Sequence, residues 1–126
     1  MTTGTYTAEP TLNRGATERW VGTSAANTAQ TISTSVSTSP PVVRRLLWVG
    51  VHYSASPTQT GVTVVLNSGA GSAYDVVLKT GTANAQDTFY EPTSEIRILP
   101  DDAIDVTAPA AGGVITSGVV ICTEQL

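Results

Sequence analysis

The sequence predicts an all-β protein: a single antiparallel β-sandwich of about eight strands, a jelly roll ahead of an immunoglobulin-like order, with an extended N-terminal arm. Three observations carry this. Short alternating or apolar stretches recur between Gly-, Pro- and Ser-rich turn signals, roughly every 8 to 12 residues. No apolar repeat of helical period lasts three turns. The lone cysteine, Cys122, leaves no Cys…Trp…Cys framework of the immunoglobulin kind.

Residues 1 to 18 are polar and unpatterned, broken by Gly4, Pro10 and Gly15. They read as an arm, extended or ordered only against a partner, and the sandwich domain then runs from 19 to 126. Trp20 marks the junction, as a core residue or as an anchor for a partner. "TISTSVST" alternates, with Ile32, Thr34 and Val36 on one face and Ser33, Ser35 and Ser37 on the other, until Pro40-Pro41 stops it. "VVRRLLWVGVHYSA" is the strongest apolar run. Both its faces are apolar from Leu46 onward, so it reads as a central strand covered on both sides, with Trp48 buried. "VTVVLN" and "AYDVVLKT" flank the turn "SGAGS". "TFYE", "SEIRIL", "AIDVTA" and "VITSGVVICT" complete the strands.

Few residues invite chemistry. "ILPDDAIDV" carries Asp101, Asp102 and Asp105, but adjacent carboxylates diverge, and a calcium loop needs acids at alternating positions about a glycine bend. Proline at the second position of a type I turn, with Asp side chains bonding nearby amides, explains the corner. Ile104 and Val106 then face the core and Asp105 faces out. His52 has no nucleophile motif around it and reads as a structural or surface residue. "SGAGS" lacks the Gly-Lys-Ser/Thr and the helix of a phosphate loop. Cys122 sits in an apolar strand as a small hydrophobe. Arg44 and Arg45 point to opposite faces, so one at most heads inward, towards a carboxylate at the end of the sandwich or a subunit contact. Neither a cofactor nor a metal ion is expected, and no nucleophile, base and orienter set marks an enzyme.

The 126 residues suit one domain, with 13% charged side chains, a single lysine (Lys79) and a formal net charge of -4. Phosphate backbones need clustered Lys and Arg, so nucleic acid is not an expected partner. No apolar run approaches a membrane span, and the N-terminus lacks the basic and apolar regions of a secretory signal. Ser and Thr replace charge. They serve either as outer-face hydroxyls or as surface set against neighbouring subunits, where charges would be costly to desolvate.

Residues 45 to 123 resemble small structural proteins of tailed-bacteriophage particles. The carriers are the "RLLWVGVHYS" strand, "VTVVLNSGAGSAYDVVLKT", "SEIRILPDDAIDVTAPAAGG" and the final "GVVICTEQL". "LPDDAIDV" is similar to the Leu-x-x-Gly-Asp-x-Ile-x-Val corner of jelly-roll virion domains, with Asp101 standing where glycine is usual. The resemblance implies a non-enzymatic virion component, such as a capsid decoration or cement protein. Such a protein is made in the host cytoplasm, assembles as a homo-oligomer (a trimer first) and binds the major capsid protein on the outer shell. The arm would order there, with Arg14 and Arg19 as charge contacts and Tyr6 and Trp20 as apolar anchors. A tail or neck adaptor or a fibre module is the nearest alternative. A carbohydrate-binding sandwich is the alternative of another class. It needs a row of exposed aromatics, for which Phe89 and Tyr90 are the best candidates.

Overall fold

The computed structural model of the chain describes residues 5–6, 14–34, 42–58 and 61–126. Its strands are β1 (Thr5–Tyr6), β2 (Thr17–Thr23), β3 (Gln30–Ser33), β4 (Arg44–Tyr53), β5 (Thr63–Asn67), β6 (Val76–Thr80), β7 (Asp87–Tyr90), β8 (Arg97–Ile98), β9 (Ala103–Ala108) and β10 (Ser117–Gln125). All pairings are antiparallel. Leaving aside the two-residue β1 and β8, β2 pairs with β10, β3 with β9, β4 with β7, and β5 with β6. This is one long hairpin rolled onto itself. It gives one sheet ordered β2-β10-β4-β7 and a second ordered β3-β9-β5-β6. That order is the jelly roll the sequence predicts. β1 adds to the free side of β2, and β8 pairs with the start of β4 where β7 does not reach.

The core lies between the inner faces. Trp20, Val49, Val51, Val119 and Ile121 of the first sheet meet Ile32, Val64, Ile104 and Val106 of the second. Gly22 belongs to this packing: a Cβ there would lie 2.1 Å from Ile32 Cδ1. Its absence lets the sheets close.

β4 departs from strict alternation. Its partner on β10 jumps from Trp48 to Leu46 between Cys122 and Thr123, so Leu47 is an extra residue, a β-bulge. Before the bulge Arg44 and Leu46 are buried; after it Val49, Val51 and Tyr53 are. Trp48, Gly50 and His52 are thereby turned outward, where Trp48 is half-buried and His52 exposed. The expectation that both faces of this strand are covered is corrected accordingly. One face is core; the other is open.

Other boundaries move too. β2 starts at Thr17, two residues inside the expected arm, and its Glu18 is buried. "AYD" forms a short 3-10 turn, Ser72–Tyr74, so β6 starts only at Val76. "SEIRIL" contributes only Arg97–Ile98, and β10 starts at Ser117 after an exposed Val114. β3 ends at Ser33; Thr34 is buried beyond it, while Ser35, Val36 and Ser37 lie outside the described residues.

The lower end of the first sheet encloses a polar network. Arg44 Nε donates to Glu18 Oε1 at 2.6 Å and Arg44 Nη2 to Oε2 at 3.2 Å, with the two side chains 6% and 4% exposed. Thr123 Oγ1 and Gln125 Nε2, from the strand between them, also donate to Glu18. Trp20 Nε1 donates to Thr123 Oγ1 at 3.0 Å, and the Arg44 guanidinium lies 5.4 Å from the Trp20 ring centroid. One of the two arginines therefore heads inward to a carboxylate, while Arg45 pairs with Glu124 at the surface.

Removing one partner strands a buried charge. Glu18→Ala is expected to lose about 3–5 kcal/mol of stability in urea unfolding, and Glu18→Leu with Arg44→Met clearly less than either single change. A loss below about 1 kcal/mol in Glu18→Ala would mean that the pair does not hold this end of the sheet together.

Candidate functional site

The aspartates settle into a corner. Asp102 N–H donates to Leu99 O at 2.9 Å, closing a turn with Pro100 at its second position. The Asp102 carboxylate accepts from Leu99 N–H and, at 2.8 Å, from Gly69 N–H, so it ties the corner to the "SGAGS" loop. Asp75 ties the same loop from its other end by accepting from Ser68 N–H. A Cβ at Gly69 would fall 2.6 Å from the carbonyl oxygen of Asp101, so glycine there permits the close approach. Ile104 and Val106 are fully buried, and Asp105 accepts from Asn67 Nδ2. Among the described residues no group of three His, Cys, Asp or Glu could hold a metal ion. Cys122 is a free, buried cysteine, and burial pushes its thiol above the usual range, against a smaller lowering by Arg19. It is not poised as a nucleophile.

The expected partner residues are scattered. Arg14 is exposed in a turn before β2. Trp20 is fully buried and serves the core. Arg19 is exposed on the outer face of β2, its guanidinium 6.0 Å from the Trp48 ring centroid. Tyr6 pairs through its backbone with Trp20 at the sheet edge. Most of the expected arm, residues 1–4 and 7–13, lies outside the described residues.

The structure assembles a site that sequence reasoning passed over. On the outer face of the first sheet, Phe89, Gly50, Val120 and Val21 form one cross-strand row, and Asp87, His52, Gly118 and Thr23 the next. Trp48 leans over Gly50 towards Phe89, with ring centroids 5.9 Å apart and planes at 31°. Phe89 is 62% exposed. His52 Nδ1 lies 2.5 Å from Asp87 Oδ1. Between these side chains the two glycines leave a trough of about 430 Å³. Past His52 and Gly118 it continues into a hydroxyl-lined depression of about 280 Å³ with Ser54, Thr116 and Ser117. Only the "TFYE" aromatic was legible as exposed; Trp48 escaped because the bulge inverts its face.

A second surface lies at the edge of the other sheet. Among the described residues β6 pairs only with β5; its Leu78 packs against the core, while Val76 is 49% and Val77 62% exposed, beside an exposed Tyr74.

No protein-family model matches the chain, and no curated protein does. Among solved structures, a Family 16 Carbohydrate Binding Module-2 is similar with a TM-score of 0.40 at 12% identity, over 98% of this chain and 84% of that one. The X-ray structure of tomato aspermy virus is similar with a TM-score of 0.33 at 12% identity, over 94% and 82%. Neither likeness bears on function.

If the aspartates form a corner and nothing more, Asp102→Ala is expected to cost about 1 kcal/mol by leaving two amides without their acceptor, and Asp101→Ala almost nothing. Millimolar calcium is expected to leave the melting temperature of the unaltered protein where it was. A calcium-dependent rise that Asp102→Ala abolishes would replace the corner with a cation site.

Proposed function

We propose that the chain is a non-enzymatic structural protein of a tailed-phage particle, a decoration protein that packs on the outer shell and ties neighbouring capsomers together. The particle comes from the resemblance of residues 45 to 123 to virion proteins. The observation that carries an assembly role is the β6 edge, which no further strand pairs among the described residues. Val76 and Val77 point to opposite sides of one strand and both stand in water. An open apolar edge is what soluble monomers avoid, since it offers free backbone groups and side-chain area to another chain. Sparse charge supports the same reading, because wide low-charge faces can be desolvated against neighbours at small cost.

Near His52, Ser24 and Ser117 bond to each other, and Ser54 Oγ accepts from Thr116 N–H. These hydroxyls serve the fold, and none of these bonds involves His52. Truncation before residue 14 removes β1 from the sheet edge but keeps the contacts that Gly15 and Glu18 make with the rest of the sandwich. Gly15 N–H donates to Gln125 O, and Glu18 is needed by Arg44.

Purified protein is expected to pellet saturably with expanded phage heads that lack it, at a fixed ratio to the major capsid protein. Val77→Asp is expected to weaken pelleting at least tenfold while melting as the unaltered protein does. Truncation to residue 14 is expected to weaken it too if the arm contributes. Pelleting with tails or host cells and not with heads would overturn the decoration reading.

A further inference from the structure

The outer face of the β2-β10-β4-β7 sheet poses a question that the fold does not answer: why two glycines, Gly50 and Gly118, stand diagonally across its central strands in successive rows. Glycine weakens a strand interior and, where nothing local demands it, marks the close approach of a ligand or another backbone. Gly22 is demanded by Ile32. Gly118 is not: a Cβ there would meet nothing within 4 Å, and its φ lies outside the region that favours glycine. At Gly50 a Cβ would make ordinary contact, 3.5 Å from the Trp48 ring. The protein's own packing would accept side chains at both positions. What they would fill is the trough.

The walls of that trough define what could lie in it. On one side stand the half-buried Trp48 and the exposed Phe89, an aromatic pair. Arg19 stacks on Trp48 and steadies the ring. On the other side the Asp87 carboxylate and the His52 imidazole are paired and exposed, 71% and 63%. The extension beyond them is bordered by Ser and Thr residues, of which Ser24, Ser54 and Ser117 already bond within the fold. An anion would face the Asp87 carboxylate. A purely apolar peptide or lipid would bury the carboxylate–imidazole pair without replacing its water. A neutral sugar ring satisfies both walls, its C–H face against the aromatic rings and its hydroxyls bonded to carboxylate and imidazole. A cleft of about 430 Å³ with a few placed polar groups is also of the size that takes a small ligand.

We propose that this face is a glycan-binding cleft, in which a neutral pyranose stacks on Trp48 and Phe89 over the Gly50–Gly118 floor and is held through its hydroxyls by Asp87 and His52. The site stands on side chains of β4, β7 and β10, and does not depend on the place of the protein in a particle.

Tryptophan fluorescence is a direct readout, because of the two tryptophans Trp20 is fully buried and Trp48 lines the cleft. The full chain would be titrated with neutral trisaccharides of glucose, galactose, mannose and N-acetylglucosamine, up to roughly 10 mM. At least one is expected to give a saturable change. Gly118→Val places a strand-favouring side chain in the trough, where its Cβ has no neighbour within 4 Å, and Phe89→Ala removes one stacking ring. Each is expected to weaken the response at least tenfold with an unchanged melting temperature, and Asp87→Asn to weaken it less. Absence of a saturable change with all four sugars would overturn the proposal. So would an equal response in Gly118→Val. Binding of inorganic phosphate in place of sugar would overturn the neutral ligand class. Self-association relieved by Gly118→Val would assign the face to a second copy of the chain instead.

Discussion

The rolled hairpin closes where its first and last long strands meet, and the buried Glu18–Arg44 pair fastens that seam. Glu18 is on β2 and Arg44 on β4, so the ion pair spans the intervening β10, whose Thr123 and Gln125 add donors to the same carboxylate. Three strands are thereby locked in one register. A one-residue slip of any of them would turn its polar partner to the outer face and leave the others buried and unsatisfied. Hydrophobic burial drives the sheets together, but it tolerates alternatives; a two-pronged arginine contact with one carboxylate does not. The Trp20 indole, hydrogen-bonded to Thr123 and lying by the guanidinium, joins that network to the apolar core.

From this fixed end β4 runs towards its other half, and the bulge at Leu47 decides what the outer face becomes. Without the extra residue, Trp48, Gly50 and His52 would continue the inner row of Arg44 and Leu46, and Val49, Val51 and Tyr53 would face solvent. With it, the β-branched and aromatic core residues fall inward, and the tryptophan, glycine and histidine fall outward beside Phe89 and Asp87 of β7. A single inserted residue both completes the core and builds the cleft. Bulges commonly re-aim side chains next to functional sites, and here the re-aimed set is chemically the most varied on the sheet.

This explains what the sequence discloses and what it hides. Alternation and turn chemistry locate most of the strands, the Pro100 corner and the exposed Phe89, because those signals are local. The roll was legible as a class, through strand number and spacing. β2 was not, because "TERWVGT" carries a buried glutamate and a core-facing glycine where a strand pattern would show apolar residues. Glu18 is acceptable inside only because Arg44, 26 positions later, meets it. The cleft was hidden for a similar reason: period-two counting through "RRLLWVGVHY" has no mark for an unpaired residue, so Trp48 counts as core. Conversely, "AYD" and "SEI" look like strand and are not. Each lies next to a loop or corner whose side-chain bonds, from Asp75 and Asp102, hold the backbone in turns.

The trough and the β6 edge belong to different sheets, and this bears on whether one chain can both assemble and bind a ligand. The trough lies on the outer face of the β2-β10-β4-β7 sheet, and the apolar edge is β6 of the other. They approach each other at one place. Lys79 of β6 shares a small depression with Asp87 and Phe89 of β7, so the flank of Phe89 faces the edge strand while its other side helps to form the trough. A chain added along β6 would meet that flank and restrict the Phe89 ring without covering Gly50 or Gly118. Restricting an exposed aromatic before a ligand arrives lowers the ordering cost of stacking on it. If the chain assembles through β6 and binds a ligand in the cleft, as proposed, assembly would leave the cleft accessible and make it a better binder, and the two roles would be linked through one side chain.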